Sequence, residues 1–334
     1  MSRWKFVWRL MPLFAVLALL LTGCGDPTLS ALDPKGPVAN EQRNMMILSF
    51  AIMLVVLAAV FLIYIYVIIR FRQRKGQTGI PKQVEGSHVL EIIWTVVPII
   101  LLVILAVPTV YYTFKHSQDY TQDKDSLHVK VTGHQFWWQF EYPDQGINTA
   151  QDLYIPVGKR VAFELTTADV NHSFWVPSLG GKIDTNPGEK NVNVLYLQAD
   201  EPGEYKGKCA ELCGASHALM DFKVVAVSEA EFNQWVSKMT APKTVSADAA
   251  KGEQVFKDNC LSCHAVNAAG AGLGPNLNGF ANRTRIAGFL AHDDEKLKEW
   301  IDDPQSVKPG SKMPAVGLDE AQLNDVVKYL NSLK

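Results

Sequence analysis

The sequence lacks a strong excess of charge of either sign and contains little cysteine. Its 32 Lys and Arg residues nearly balance 34 Asp and Glu residues, which leaves a formal net charge of −2 and no basic footprint for nucleic acid. No hydrolase or transferase site is recognisable. The five cysteines form one single residue and two close pairs, a pattern open to disulfides, metal ligands or haem attachment: Cys24, Cys209, Cys213, Cys260 and Cys263.

Long apolar runs occur only in the first part of the chain. The runs at 45–69 and 92–110 are each long enough to cross a hydrocarbon core of about 30 Å as a helix. We predict transmembrane helices at 45–69 and 92–114. The loop between them, 70–91, opens with a cluster of Arg and Lys and is therefore predicted to be cytoplasmic. The chain after about residue 115 is then predicted to lie outside the bacterial cell membrane, in a multi-pass protein.

The N-terminus has the layout of a secretory signal, with three basic residues before an apolar run at 10–21. The run ends in Leu-Thr-Gly before Cys24, which resembles a bacterial lipoprotein signal. The resemblance implies a signal peptide at 1–23, a diacylglycerol on Cys24 that anchors the mature end, and an extracytoplasmic segment at 24–44. The alternative is an ordinary signal peptide with a chance cysteine.

Short β-prone runs follow the membrane segments. They occur at 127–131, 160–166, 191–197 and 221–227, between turns rich in Gly, Pro and Asp, and this rhythm predicts a β-sandwich or barrel. From residue 115 to 238 the chain has 11 Lys and Arg against 17 Asp and Glu, which favours a basic protein partner.

Soft ligands are concentrated in one stretch of this β region. Cys209, Cys213, His217 and Met220 fall within twelve residues, and sulfur with imidazole suits copper. Zinc fits the ligand types, but structural zinc rarely uses Met. A disulfide would leave the His and Met unexplained, whereas a second Cys beyond the one of a blue-copper site indicates two metals. His172 is the predicted source of the other imidazole.

A second motif lies near the C-terminus. Cys260-Leu261-Ser262-Cys263-His264 is the C-x-x-C-H pattern of c-type haem attachment, with the thiols bonded to the haem and the His bound to iron. A thioredoxin-like pair is disfavoured because no βαβ pattern surrounds it. Met313 is the predicted sixth ligand, and Met/His ligation suits an electron carrier. Met239 competes on residue type, but it precedes the motif and falls in the predicted linker.

These motifs together resemble subunit II of haem–copper cytochrome c oxidase with its dinuclear copper centre, CuA. The match runs from the paired membrane helices to about residue 227, and 246–334 resembles a small class I cytochrome c. The fusion is similar to subunit II of the caa(3)-type oxidases. The implied fold is a multidomain membrane protein: a two-helix transmembrane hairpin, an all-β cupredoxin sandwich at 115–237, a linker at 238–250 and an all-α class I cytochrome c domain at 251–334.

The resemblance also implies roles for individual residues. Two cysteines would bridge the coppers, each histidine would bind one copper, and a Met and a carbonyl oxygen would be the weak ligands, giving the set His172, Cys209, Glu211, Cys213, His217 and Met220. In this family the Glu211 carboxylate also reaches a magnesium or manganese ion shared with subunit I. Glu91 matches the position that assists proton uptake from the cytoplasm.

An aromatic signature at 133–142 is part of the same resemblance. The family commonly has Gln-Trp there, with the Trp accepting electrons from docked cytochrome c, whereas this chain has Phe136 followed by Trp137 and Trp138. The resemblance makes these three residues the candidates for electron entry. The departure suggests that electrons arrive by another route. The alternative is that the three rings are only core packing.

The resemblance implies a function in respiration. Electrons would reach the haem c from cytochrome c or a quinol–cytochrome c reductase and pass to CuA. From there they would continue to subunit I, which reduces oxygen and pumps protons beside subunit III. Membrane lipids are further partners. The alternatives are the CuA subunit of a nitric oxide reductase and a membrane-anchored copper chaperone. Quinol oxidase subunit II shares the fold but lacks the copper ligands.

Overall fold

The computed structural model describes residues 11–12, 14–16, 25–80, 83–188, 190–243, 245–267 and 272–334. The predicted lipid-bearing Cys24 and most of the predicted signal peptide lie outside these residues. Within them the chain forms a membrane hairpin, a β-sandwich and a helical C-terminal domain, so the predicted fold class is confirmed.

The hairpin consists of α1 (Pro37–Phe71) and α2 (His88–His116), both long and apolar enough to cross a membrane. Their apolar side chains are exposed, as expected of surfaces that meet lipid. Helix α1 begins at Pro37, well before the apolar run, because proline is favoured in the first helical turn. The extra turns reach the sandwich, where Val38 and Ala39 are buried.

The segment before α1 is bonded to the sandwich. The Lys35 N–H donates to the Ser178 carbonyl at 2.7 Å, and the Asp200 N–H donates to the Lys35 carbonyl at 2.8 Å. A Cβ at Gly36 would collide with the Gln198 carbonyl, so only glycine permits this close approach. At the same end of the hairpin, Lys115 of α2 pairs with Glu41 of α1, and the next residue, His116, bonds the Tyr196 hydroxyl of the sandwich at 3.1 Å. The membrane helices and the sandwich are therefore joined at several points.

The sandwich packs two five-stranded sheets face to face. In spatial order, the first sheet contains β3 (Ile147–Ala150), β2 (Trp137–Tyr142), β1 (Leu127–His134), β5 (Val161–Thr167) and β8 (Asn193–Leu197). The second contains β4 (Asp152–Pro156), β10 (Asp221–Val227), β9 (Gly203–Cys209), β6 (His172–Trp175) and β7 (Ile183–Thr185). Four predicted strands are thereby confirmed as β1, β5, β8 and β10.

The pairing of β6 with β9 positions the copper ligands predicted above. These strands are antiparallel, with Phe174 opposite Cys209. The buried rings of Trp138, Phe140 and Phe174 fill the space between the sheets beneath this pair. The end of the sandwich that carries the predicted site therefore rests on a dense aromatic core.

Helix α3 (Glu229–Thr240) follows the sandwich and begins with a capping box formed by Ser228 and Glu231. The stretch 238–250, predicted as a linker, therefore starts inside this helix. The C-terminal domain contains α4 (Ala250–Asn259), α5 (Asp294–Asp302), the one-turn α6 (Pro304–Val307) and α7 (Glu320–Leu330). It also has a two-stranded pair, β11 (Arg285–Ile286) with β12 (Leu290–Ala291). Helices α4 and α7 cross closely at Gly252, where a Cβ would collide with the Asp325 carbonyl.

The helical domain packs directly on the sandwich. The Lys308 ammonium donates to the carbonyls of Phe136 and Ala287, both at 2.7 Å, and thereby joins the two domains. Burial lowers the pKa of Lys308 to about 7. At a second point, Lys223 of β10 donates to the Thr284 hydroxyl at 2.8 Å. The two soluble domains thus share a polar, partly buried interface.

Candidate metal centre

Two elements of the second sheet bring the predicted copper ligands together. His172 is the first residue of β6, and Cys209 is the last residue of the neighbouring β9. Cys213 and His217 lie in the loop after β9, and Met220 immediately precedes β10. Strand pairing therefore brings together residues that are up to 48 positions apart in the sequence, the separation of His172 and Met220.

The side chains converge with short separations. The sulfurs of Cys209 and Cys213 are 3.8 Å apart, too far for a disulfide bond. His172 Nδ1 lies 3.8 Å from the Cys209 sulfur, and His217 Nδ1 lies 3.6 Å from the Cys213 sulfur. Met220 Sδ is 3.8 Å from the Cys213 sulfur. Each imidazole thus directs its Nδ1 toward a different thiol, as a site for two soft metal ions requires.

The carbonyl of Glu211 completes the arrangement, because its oxygen lies 3.2 Å from the Cys209 sulfur. The Glu211 side chain itself is half-buried. The next residue, Leu212, is exposed and places an apolar side chain on the surface of this loop. All six predicted copper ligands are therefore gathered at one end of the sandwich.

The two thiols of the site shift each other's pKa in opposite directions. A hydrogen bond with Cys213 and another with His172 hold the pKa of Cys209 well below its usual range. The same bond to Cys209, together with burial, raises the pKa of Cys213. One thiolate therefore forms readily, whereas the second would be an uncompensated buried charge. Bound cations would remove this penalty, so the donor set fits a pair of copper ions.

Asp169 fixes the orientation of His172. Its Oδ1 accepts a hydrogen bond from His172 Nε2 at 2.9 Å, which leaves Nδ1 free to face the thiol. Burial would raise the pKa of Asp169, but hydrogen bonds from His172, Lys312 and the backbone hold it well below its usual range. The carboxylate is therefore ionised, and such partners of a ligand imidazole are typical of metal sites.

The aromatic signature lies beside this cluster. Phe136 and Trp138 are buried, and the Trp138 ring meets the His172 ring edge-on at 5.9 Å. Trp137 is half-buried and stacks on His134 at 4.1 Å. Phe136 is only 3% exposed, because it lies between the sandwich core and Gly310 of the helical domain. A separate electron donor therefore has no direct access to Phe136.

The predicted haem site is formed by a helix end and a glycine-containing loop. Cys260 caps α4 at its C-terminus, and the Cys263 and His264 N–H groups both donate to its carbonyl. His264 Nδ1 donates to the Pro275 carbonyl at 2.8 Å, which leaves Nε2 available for iron. The described cysteines are free thiols, so Cys260 and Cys263 are available for attachment.

The two candidate methionines lie in different environments. Met313 packs against the core of the helical domain, and its carbonyl accepts from Gln305 Nε2 at 3.1 Å. Met239 is buried in the core of the sandwich instead. Met313 therefore stays the predicted sixth haem ligand.

One predicted site residue lies away from both centres. Glu91 is in the first turn of α2, with its carboxylate 3.4 Å from His88 Nδ1. This position is at the opposite end of α2 from the sandwich.

Sequence reasoning missed Asp169 as a partner of His172. The signal was its spacing, three residues before the histidine in a turn, where Asp commonly accepts local hydrogen bonds.

Family comparisons agree with this geometry. The model of the cytochrome c oxidase subunit II transmembrane domain matches residues 30–111, and that of the subunit II periplasmic domain matches 145–227. A cytochrome c model matches 249–334. A protein of Alkalihalophilus pseudofirmus named cytochrome c oxidase subunit 2 is 50% identical, covering 100% of this chain and 99% of its own length. The chain belongs to the cytochrome c oxidase subunit II family.

Other members of the family are similar over different lengths. The cytochrome c oxidase subunit 2 of Bacillus sp. strain PS3 is 51% identical and covers 98% of both chains. A quinol oxidase subunit 2 of Bacillus spizizenii is 39% identical over 71% of this chain and 76% of its own length. The chain is thus a component of an oxidoreductase, with family models that indicate CuA and haem c.

Replacing Cys213 tests the copper site. We expect Cys213→Ala to lower bound copper from two ions to at most one per chain, because only one sulfur bridge would remain. Metal analysis of the purified full-length chain measures this. Leu212→Ala is the matched control, since that neighbouring side chain is 78% exposed. Two coppers bound by the Cys213 variant would contradict the assignment.

Replacing Met313 tests the haem site. We expect Met313→Leu to lower the haem reduction potential, because loss of the thioether removes the ligand that raises it. Redox titration of the haem absorption bands measures the change. Met239→Leu is the control and should leave the potential unchanged. A lowered potential in the Met239 variant alone would identify that residue as the ligand instead.

Proposed function

We propose that this subunit carries electrons from a haem c to a CuA centre and on to the oxidase subunit that reduces oxygen. The observation that carries the proposal is the convergence of two cysteines, two histidines, Met220 and the Glu211 carbonyl at one end of the sandwich. Bound at these residues, copper and haem would each take up and release one electron without forming or breaking a bond.

The proposed copper ligands divide between two ions. Cys209 and Cys213 would bridge both through their thiolates, with His172 on one and His217 on the other. Met220 and the Glu211 carbonyl would be the weak ligands. The buried aromatic core beneath β6 and β9 keeps these groups in place, and a rigid site favours electron transfer because little has to move.

Cys260 and Cys263 would attach the haem, with His264 and Met313 as axial ligands. The Pro275 carbonyl sets the ring orientation of His264. Because Phe136 is covered, we propose that the electron donor docks at the helical domain. That donor would be a cytochrome c or a quinol–cytochrome c reductase. Trp137 and Trp138 would then lie on the electron path inside the protein and not on a surface where a donor docks.

The remaining proposals concern the membrane and the oxidase partners. The basic loop after α1 would be cytoplasmic, which places both soluble domains outside the cell. Glu91 would assist proton uptake at the inner face, and Cys24 would carry a lipid.

Subunits I and III are the proposed partners, and the Glu211 carboxylate would hold a magnesium or manganese ion shared with subunit I. The assembled complex would pump protons.

The decisive experiment is metal analysis and electron paramagnetic resonance of the full-length chain, made with haem attachment and copper supplied. The proposal predicts two coppers per haem iron and one unpaired electron shared equally by both coppers. A single exchangeable copper with a mononuclear spectrum would contradict it and favour a copper chaperone.

A further inference from the structure

The loop that carries Met313 contacts a residue beside each histidine of the proposed copper site. This loop, residues 308–313, leaves α6 and crosses to the sandwich. The Ser216 hydroxyl, next to His217, donates to the Pro309 carbonyl at 2.7 Å. A Cβ on Gly310 would touch the Phe136 ring at 3.5 Å. The loop therefore lies directly against the end of the sandwich that holds the metal ligands.

Lys312 makes the contact nearest to a proposed ligand. Its ammonium donates to Asp169 Oδ2 at 2.9 Å, while Asp169 Oδ1 accepts from His172 Nε2 at 2.9 Å. Lys312 immediately precedes Met313 in the chain. A single carboxylate thus joins the residue next to a proposed haem ligand to a proposed copper ligand.

Burial makes Asp169 a strong link between these groups. Its side chain is 11% exposed, whereas that of Lys312 is 66% exposed. An ion pair whose lysine is this exposed usually contributes little to stability. The Asp169 carboxylate, however, also accepts a hydrogen bond from the His172 imidazole. Removing the cation beside the carboxylate therefore changes the electrostatic potential at His172.

We propose that Lys312 is a positioning residue that couples docking of the haem domain to the copper site through Asp169. The inference rests on the function proposed above and adds a residue that acts on it. With Lys312 in place, part of the Asp169 charge is neutralised, and the imidazole donates less electron density to the copper. Docking and copper reduction then support each other, because coupling between two equilibria is reciprocal.

The test uses the full-length chain with haem and copper bound, and measures how one electron divides between the two centres at equilibrium. In Lys312→Gln, Asp169 loses its cation and the oxidised copper pair is favoured. We expect the ratio of reduced copper to reduced haem to fall about two- to five-fold at low salt. The copper resonance spectrum should change as well, and the difference should shrink as salt is added.

Two variants serve as controls. Lys328→Gln removes the same charge from a lysine of the haem domain that is 54% exposed and faces Asp248, so it should leave the ratio unchanged. Lys312→Arg keeps the cation and should restore most of the wild-type ratio. A ratio and spectrum in Lys312→Gln equal to those of Lys328→Gln would overturn the proposal.

A double variant tests whether the effect passes through Asp169. Lys312→Gln should have no further effect in an Asp169→Asn background, because the linking carboxylate is already gone. A full effect in that background would mean that Lys312 acts through its field alone, which contradicts the proposed link.

Amide hydrogen exchange on the copper-free chain separates this inference from the proposed function. Lys312→Gln should exchange faster than Lys328→Gln in the loop 308–313 and around residue 169, since the docking contact is lost. Unchanged exchange would overturn the docking role. If the wild-type chain bound no copper pair, the proposed function would fall, and exchange would still decide whether Lys312 docks the domain.

Discussion

Two buried cysteine sulfurs, 3.8 Å apart, impose the constraint on which the rest of this protein depends. Both cannot be ionised in an apolar interior without cations between them. Around the sulfurs lie two imidazoles, a thioether and a carbonyl, which are the donors that would hold such cations. Asp169 holds one imidazole by its outer nitrogen. The sandwich supplies the stiffness, since the rings of Trp138 and Phe174 fill the space under the strands that carry the candidate ligands.

The docked helical domain adds a second constraint. It covers Phe136, the position that the sequence resemblance makes the expected point of electron entry. The cover is specific, because the Lys308 ammonium bonds the Phe136 carbonyl and the Ser216 hydroxyl bonds the Pro309 carbonyl. A cytochrome held within the same chain has an effective concentration on the order of millimolar, so a separate donor at this surface is unnecessary. Phe136 in place of the Trp that the resemblance leads one to expect is consistent with that arrangement.

Much of the fold and most of the candidate site could be predicted from residue types and spacing. Apolar length predicted the hairpin, and strand rhythm located β1 and β10 at their first residues. The sulfur residues of the candidate site could be predicted because Cys209, Cys213 and Met220 are close in sequence. The link from Lys312 to Asp169 could not be predicted, since it joins positions 143 apart in two domains whose packing no local pattern encodes. The early start of α1 was missed for a similar reason, because its first turns are buried by the sandwich and not by lipid.

The most direct test of the account is the rate at which the photoreduced haem of the full-length chain passes its electron to the copper centre. The rate should be measured over a wide range of protein concentration. Because the haem domain is docked on its own sandwich, the account predicts a single first-order phase that does not depend on concentration. A rate that rises in proportion to concentration would show that electrons pass between separate molecules and would contradict the docked arrangement.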